Sequence, residues 1–121
     1  MSEDSVRKTG LLWERRAEAF LSQQGLTFVA RNFRVPRGEI DLVMQEAHHL
    51  VFVEVRYRAR SRHGNALGSV TPAKQHKLRQ SATTFLQRYP SWKNHPCRFD
   101  VIAYDGGVTR WEPVWIRAAF E

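Results

Sequence analysis

The sequence predicts a single α/β domain in which a mixed central β-sheet is flanked by helices, in the order αβββαββ. Three observations predict it. The length of 121 residues suits one domain with a real core, and the 42% hydrophobic content is that of a folded chain. Two stretches carry apolar residues at helical spacing, and five shorter ones are rich in β-branched and aromatic residues. Three strands, one crossover helix and a returning strand then require at least one parallel pair, so the sheet is mixed.

Residues 1–8 are polar and read as a disordered lead-in, leaving 9–121 as the domain. From Leu11 to Gln24, Trp13, Ala17, Phe20 and Leu21 fall on one helical face, and Gly25 stands where a helix C-terminus favours glycine. Leu26 to Val35 reads as a strand, with Pro36-Arg37-Gly38 as the turn after it. A second strand runs from Glu39 through Met44, and Leu50 to Val55 forms a third, its hairpin partner. Arg58 to Val70 lacks periodicity and reads as an exposed loop. Thr71-Pro72 matches an N-cap and first helical position, with Leu78, Ala82, Phe85, Leu86 and Tyr89 as the buried stripe of a second helix ending before Pro90. Arg98 to Tyr104 is a fourth strand and Asp105-Gly106-Gly107 a turn. Val108 to Ile116, with Trp111 and Trp115, is the fifth strand.

One cysteine, Cys97, excludes an internal disulfide framework. No apolar run approaches the ~18 to 20 residues that span a bilayer, so the expected setting is the cytoplasm, without a membrane role. The net charge of +7 favours an anionic partner, since lysine and arginine displace counterions condensed on phosphates. All twelve acids lie outside the segment from Val55 to Phe99, which carries Arg56, Arg58, Arg60, Arg62, Lys74, Lys77 and four further arginines and lysines. A nucleic-acid surface, DNA more than RNA, explains that block; a solvated basic face is the plainer alternative.

The chemistry concentrates on two acids inside apolar strands. Glu54 interrupts Val51-Phe52-Val53-Glu54-Val55, where an unpaired carboxylate is costly, and Asp41 stands between Ile40 and Leu42. Side chains alternate along a strand, so Glu54 and Arg56 share one face, and a suitable hairpin register sets Asp41 beside them. Asp41, Glu54 and the Val55 carbonyl suit Mg²⁺ or Mn²⁺, hard ions that take oxygen ligands and accept phosphate in their open positions. An ion pair of these acids with Arg56 is the structural alternative.

Gly38-Glu39-Ile40-Asp41-Leu42, Val51-Phe52-Val53-Glu54-Val55-Arg56 and Arg98-Phe99-Asp100-Val101-Ile102 resemble the YraN (UPF0102) family, small bacterial proteins with a PD-(D/E)xK endonuclease-like, Holliday-junction-resolvase-like fold. The resemblance implies that Asp41 is the motif aspartate, Glu54 the second acid and Glu14 the first-helix glutamate of resolvase-like members. At 100° per residue Glu14 lies about 70° from the centre of its helix's apolar stripe, a border position, though an ordinary exposed glutamate sits there equally well. The family pattern ends E-x-K, whereas Arg56 stands where the lysine belongs. Arginine stays protonated, so it can clamp a phosphate but not act as a base. Lys74, one helical turn before Leu78, is a candidate replacement, with a plain surface lysine as the alternative reading.

The resemblance thus implies a Mg²⁺-dependent endonuclease or DNA-junction-processing nuclease, with Arg58, Arg60, Arg62, Lys74 and Lys77 on the nucleic acid. Beside nucleic acid, a second copy of the chain in a homodimer or a larger DNA-maintenance assembly is an expected partner. The rivals are a noncatalytic nucleic-acid-binding module that kept the fold after losing the lysine, and an adaptor whose basic face meets an acidic protein. Asp100, a third acid in an apolar strand, reads as a structural hydrogen-bond acceptor. The five histidines lack zinc-ligand spacing. Trp92 and Trp111 are candidates for stacking on bases, against the commoner fate of tryptophan as core.

Overall fold

Trp13, Ala17 and Leu21 recur every four residues and are all buried, so the first helix, α1 (Glu3–Gln23), lays one stripe on the sheet. Its end is set by Gly25 at φ 98°, with the Leu26 amide donating to the Leu21 carbonyl and the Gly25 amide to that of Ser22. These are the paired bonds of a Schellman cap, which only a left-handed residue completes. The helix begins well before Leu11 and takes in most of the segment expected as a disordered lead-in.

The computed structural model describes residues 3–58, 67–105 and 112–121. The strands are β1 (Thr27–Val35), β2 (Gly38–Glu46), β3 (His49–Arg58), β4 (Cys97–Asp105) and β5 (Pro113–Phe120), with α2 (Pro72–Arg88) between β3 and β4. They form one sheet in the order β1-β2-β3-β4-β5, antiparallel except for the parallel β3–β4 pair that α2 connects. The αβββαββ order and mixed sheet expected from the sequence are therefore observed.

Helix α1 covers one face of the sheet, where Trp13, Leu21, Leu42, Val51, Val53 and Ile102 pack together. Helix α2 covers the other, against Phe33, Ile40, Val43, Leu50, Phe52 and Val101. Cover on both faces is why β3 reads as a continuous apolar run, with Leu50, Val51 and Val53 at 0% exposure. Thr71 caps α2 by accepting the Lys74 amide at 3.3 Å, and Pro72 follows at the first helical position.

Three details differ from the sequence reading. Within α2 the buried stripe is Leu78, Ser81, Ala82 and Phe85, while Tyr89 caps the helix end at 49% exposure with its ring against Phe85 and Phe33. Strand β5 begins at Pro113 and runs to Phe120, later than Val108 to Ile116, because its partner β4 pairs from Tyr104 back to Phe99. The expected loop from Arg58 to Val70 includes a 3₁₀ turn over Leu67–Ser69, and its end is buried at Ser69 and Val70. The Arg58 side chain, Arg60, Arg62, Trp111 and, of the expected turn after β4, Gly106 and Gly107 lie outside the described residues.

Candidate functional site

The site begins where β2 and β3 part. Their ladder runs from Glu46↔His49 to Leu42↔Val53 and stops there, although β2 continues along β1 to Gly38 and β3 along β4 to Arg58. Ile40 and Val43 lie in the same α2-side cluster although Leu42 lies in the other, so strict alternation breaks at Asp41. The Asp41 side chain takes the place of the missing strand partner: its Oδ2 accepts the Val55 amide at 2.8 Å. Continuing the register sets Asp41 opposite Glu54, whose carboxyl group lies close enough to act on that of Asp41 by contact and by charge.

Burial, then the Glu54 contact and charge, push the Asp41 carboxyl well above the usual carboxylate range, against the Val55 amide that favours its charged form. Beside the pair opens a cavity of about 390 Å³ lined by Gly10, Trp13 and Glu14 of α1, Glu39 and Asp41 of β2, and Glu54, Val55, Arg56 and Tyr57 of β3. Glu14 thus reaches the parted strands from the border of its helix. Its carboxyl is pushed up to about 7, chiefly by burial and further by Asp41 and Glu39, while a hydrogen bond from Asn32 opposes the rise.

Asn32 holds two of these acids at once, its Nδ2 donating to Glu14 Oε1 at 2.5 Å and to Glu39 Oε1 at 3.2 Å. It does so from a left-handed backbone, φ 50°, inside β1, a conformation asparagine tolerates better than most residues. Arg56 lines the cavity with its guanidinium steadied by Nε donating to Ser69 Oγ at 2.8 Å. The Tyr57 ring, 39% exposed, stacks on Trp13 at 5.3 Å and 25°, and Trp13 rests in turn on Tyr104.

Of the residues singled out in the sequence, Glu14, Asp41, Glu54, Val55 and Arg56 line this one cavity. Lys74 is not among its described lining residues; it lies half-buried in the first turn of α2. Lys77 borders a different groove. Glu39 and Asn32 were missed, and each had a signal: Glu39 is two residues from Asp41, the strand period, and asparagine is disfavoured inside a strand without a reason.

Among the described residues no group of three or more histidines, cysteines, aspartates and glutamates has a metal-holding arrangement. A divalent ion would therefore rest on Asp41, Glu54 and a backbone oxygen. The Val55 amide faces Asp41, and in a regular strand the carbonyl of the same residue points to the same side. A crowded carboxyl pair, with Asp41 desolvated, fits a cation that takes few protein ligands and keeps its waters.

A mixed sheet with a helix on each face, parting between two strands over a cavity with four carboxyl groups, defines the chain as an α/β protein with an acidic site at the split. The chain belongs to the UPF0102 family: the family model described as "Uncharacterised protein family UPF0102" matches residues 13–104, from the α1 stripe through β4. It is 46% identical over 122 aligned residues to a UPF0102 protein of Pseudomonas putida (strain GB-1), covering 100% of this chain and 99% of the relative. A UPF0102 protein of Pseudomonas syringae pv. syringae (strain B728a) is 45% identical with the same coverage. One from Alkalilimnicola ehrlichii is 46% identical over 93% of this chain and 86% of its own. Among the described residues no helix is long and apolar enough to cross a membrane.

Proposed function

We propose that this protein binds nucleic acid, DNA above RNA, and hydrolyses phosphodiester bonds at the Asp41–Glu54 cavity with Mg²⁺ or Mn²⁺. The observation that carries the reading is the carboxyl pair itself. Two acids crowded together, Asp41 desolvated, destabilise the fold unless something compensates, and a divalent cation does so. Asp41, Glu54 and the Val55 carbonyl would hold the ion; when bound it supplies charge neutralisation at a phosphate and a more acidic water.

The chain's own groups fill the other roles. Arg56, steadied by Ser69, holds the scissile phosphate; being permanently charged it takes no proton. Glu14, titrating near 7, is partly ionised at neutral pH and accepts the proton of the attacking water as its oxygen bonds to phosphorus. The ester oxygen departs and takes a proton from solvent. Glu14 thereby does the work that the family pattern gives to lysine.

A second reading has support in Arg56: an arginine tied to Ser69 grips a phosphate as well without chemistry as with it, which suits a noncatalytic binding module. One assay separates the two. Wild-type protein is titrated with Mg²⁺ and Mn²⁺ against linear and branched DNA and RNA, reading binding and scission together. Metal-dependent scission that falls at least about 100-fold in Asp41→Asn, the order for loss of one catalytic electrostatic group, supports the nuclease. Scission unchanged in Asp41→Asn removes the site from the chemistry, and salt-sensitive binding without scission under either ion favours the module.

A further inference from the structure

The cavity cannot by itself attract a polyanion: Glu14, Glu39, Asp41 and Glu54 all border it, against Arg56. A nucleic-acid backbone brought there must be anchored elsewhere, and a second concavity has the opposite character. A groove of about 460 Å³ lies between the β1–β2 hairpin tip and the flank of α2, bordered by Arg37, Lys77, Gln80, Ser81, Thr84 and Gln87 among others. None of its described lining residues is acidic, and α2 has no aspartate or glutamate along its whole length. Arg37 and Lys77 are exposed and face the groove from opposite walls, one on the hairpin and one on the helix, with the glutamine amides as further donors.

The walls are held in register. A Cβ on Gly38 would lie 2.7 Å from Ser81 Oγ and 3.6 Å from the Lys77 carbonyl, so the hairpin sits directly on the helix at the groove floor. From Gly38 to Asp41 is three residues of β2, about 10 Å at strand rise. The hairpin tip and the carboxyl pair are thus joined by one strand.

We propose that this groove is a second nucleic-acid site, where Arg37 and Lys77 seat the sugar–phosphate backbone of a nucleic acid engaged at the carboxyl pair. The proposal rests on the nucleic-acid reading above and adds the anchoring surface that the acidic cavity lacks. Two cations on facing walls, no acid between them and amide donors along one side match a run of phosphates. An acidic peptide is the competing occupant.

The test measures binding of a short labelled DNA duplex in EDTA over a series of salt concentrations, so that the metal site is silent. The variants are Arg37→Gln/Lys77→Gln and Arg37→Glu/Lys77→Glu, whose side chains are exposed and whose loss leaves the core intact. The expected result is a salt slope shallower by about 2 in the neutral double variant, about 1 for each single change, with at least about tenfold weaker binding. Charge reversal weakens binding further. Wild-type protein that binds DNA while the double variant shows the same slope overturns the groove and leaves the nuclease reading standing. Wild-type protein that binds no nucleic acid overturns both. A polyglutamate peptide that binds the wild type and is lost in the double variant, with DNA binding kept, assigns the groove to a protein and overturns the proposal.

Discussion

The fully buried Asp100 carboxyl accepts from Arg98 Nε at 3.0 Å, from Trp115 Nε1 at 2.9 Å and from the Ala118 amide at 2.9 Å. Ala118 has φ 48°, and the β4–β5 register shifts between Phe99 and Val101, so Asp100 ties down a bulge in the last strand. Asp100→Ala leaves these donors buried and Arg98 without that partner, and is expected to destabilise the fold by about 3–5 kcal/mol. Urea unfolding measures this; a loss below about 1 kcal/mol would mean that β5 is not held by this side chain. Asp41 has the same appearance in sequence, an acid between apolar neighbours, and also accepts an amide where a ladder breaks. What separates them is what else arrives. Asp100 receives an arginine, an indole and an amide; Asp41 receives one amide and a second acid. Both acids are anomalous in the sequence, and the hairpin that sets Asp41 beside Glu54 marks which one to weigh. The donors themselves come from residues up to eighteen positions away, set by a bulge that no local pattern announces.

Elements with local punctuation were legible, and elements bounded by pairing were not. Gly25 ends α1 and Thr71-Pro72 opens α2 where the sequence sets them, because a left-handed cap and a side-chain cap are short-range devices. The start of α1 and the span of β5 were misplaced, since neither has such a marker. The contact of the β1–β2 hairpin with α2 was invisible as well: Gly38 was read as a turn glycine, whereas its lack of a side chain also admits Ser81. Ser81 is 1% exposed, with its hydroxyl donating to the Lys77 carbonyl at 2.9 Å, so it cannot swing aside freely. Gly38→Ala is therefore expected to cost about 1–3 kcal/mol by overpacking. Ser81→Ala in the same chain removes the clashing oxygen and is expected to restore most of the loss. Thermal melts of the single and double variants form the cycle, and additive losses would show that the two positions do not touch.

Across the whole molecule charge is segregated, and the segregation sets how stability depends on pH. Glu46, which accepts from Arg117 and Arg98, is held below its ordinary value chiefly by the Arg117 bond, so its contribution is present above about 4.5 and fades as pH falls. Glu14 runs the other way. Its folded value near 7 exceeds the ordinary 4.5, so the folded chain binds that proton more tightly than the unfolded one. The contribution is full below 4.5 and lost as pH rises through about 7, and Asp41, also raised, acts in the same direction. In EDTA the protein is therefore expected to lose stability between pH 4.5 and 7, and Glu14→Gln to flatten the decline by about 1 kcal/mol, solvent screening of a half-exposed carboxyl keeping the figure small. Saturating Mg²⁺ should reverse the trend, because an ion that binds only deprotonated carboxyls stabilises more as pH rises. The measurement is the melting temperature from pH 4.5 to 8, with EDTA and with Mg²⁺, for wild type, Glu14→Gln and Asp41→Asn. A decline that Glu14→Gln leaves untouched would place Glu14 outside the acid cluster, and a Mg²⁺ effect surviving in Asp41→Asn would move the ion elsewhere.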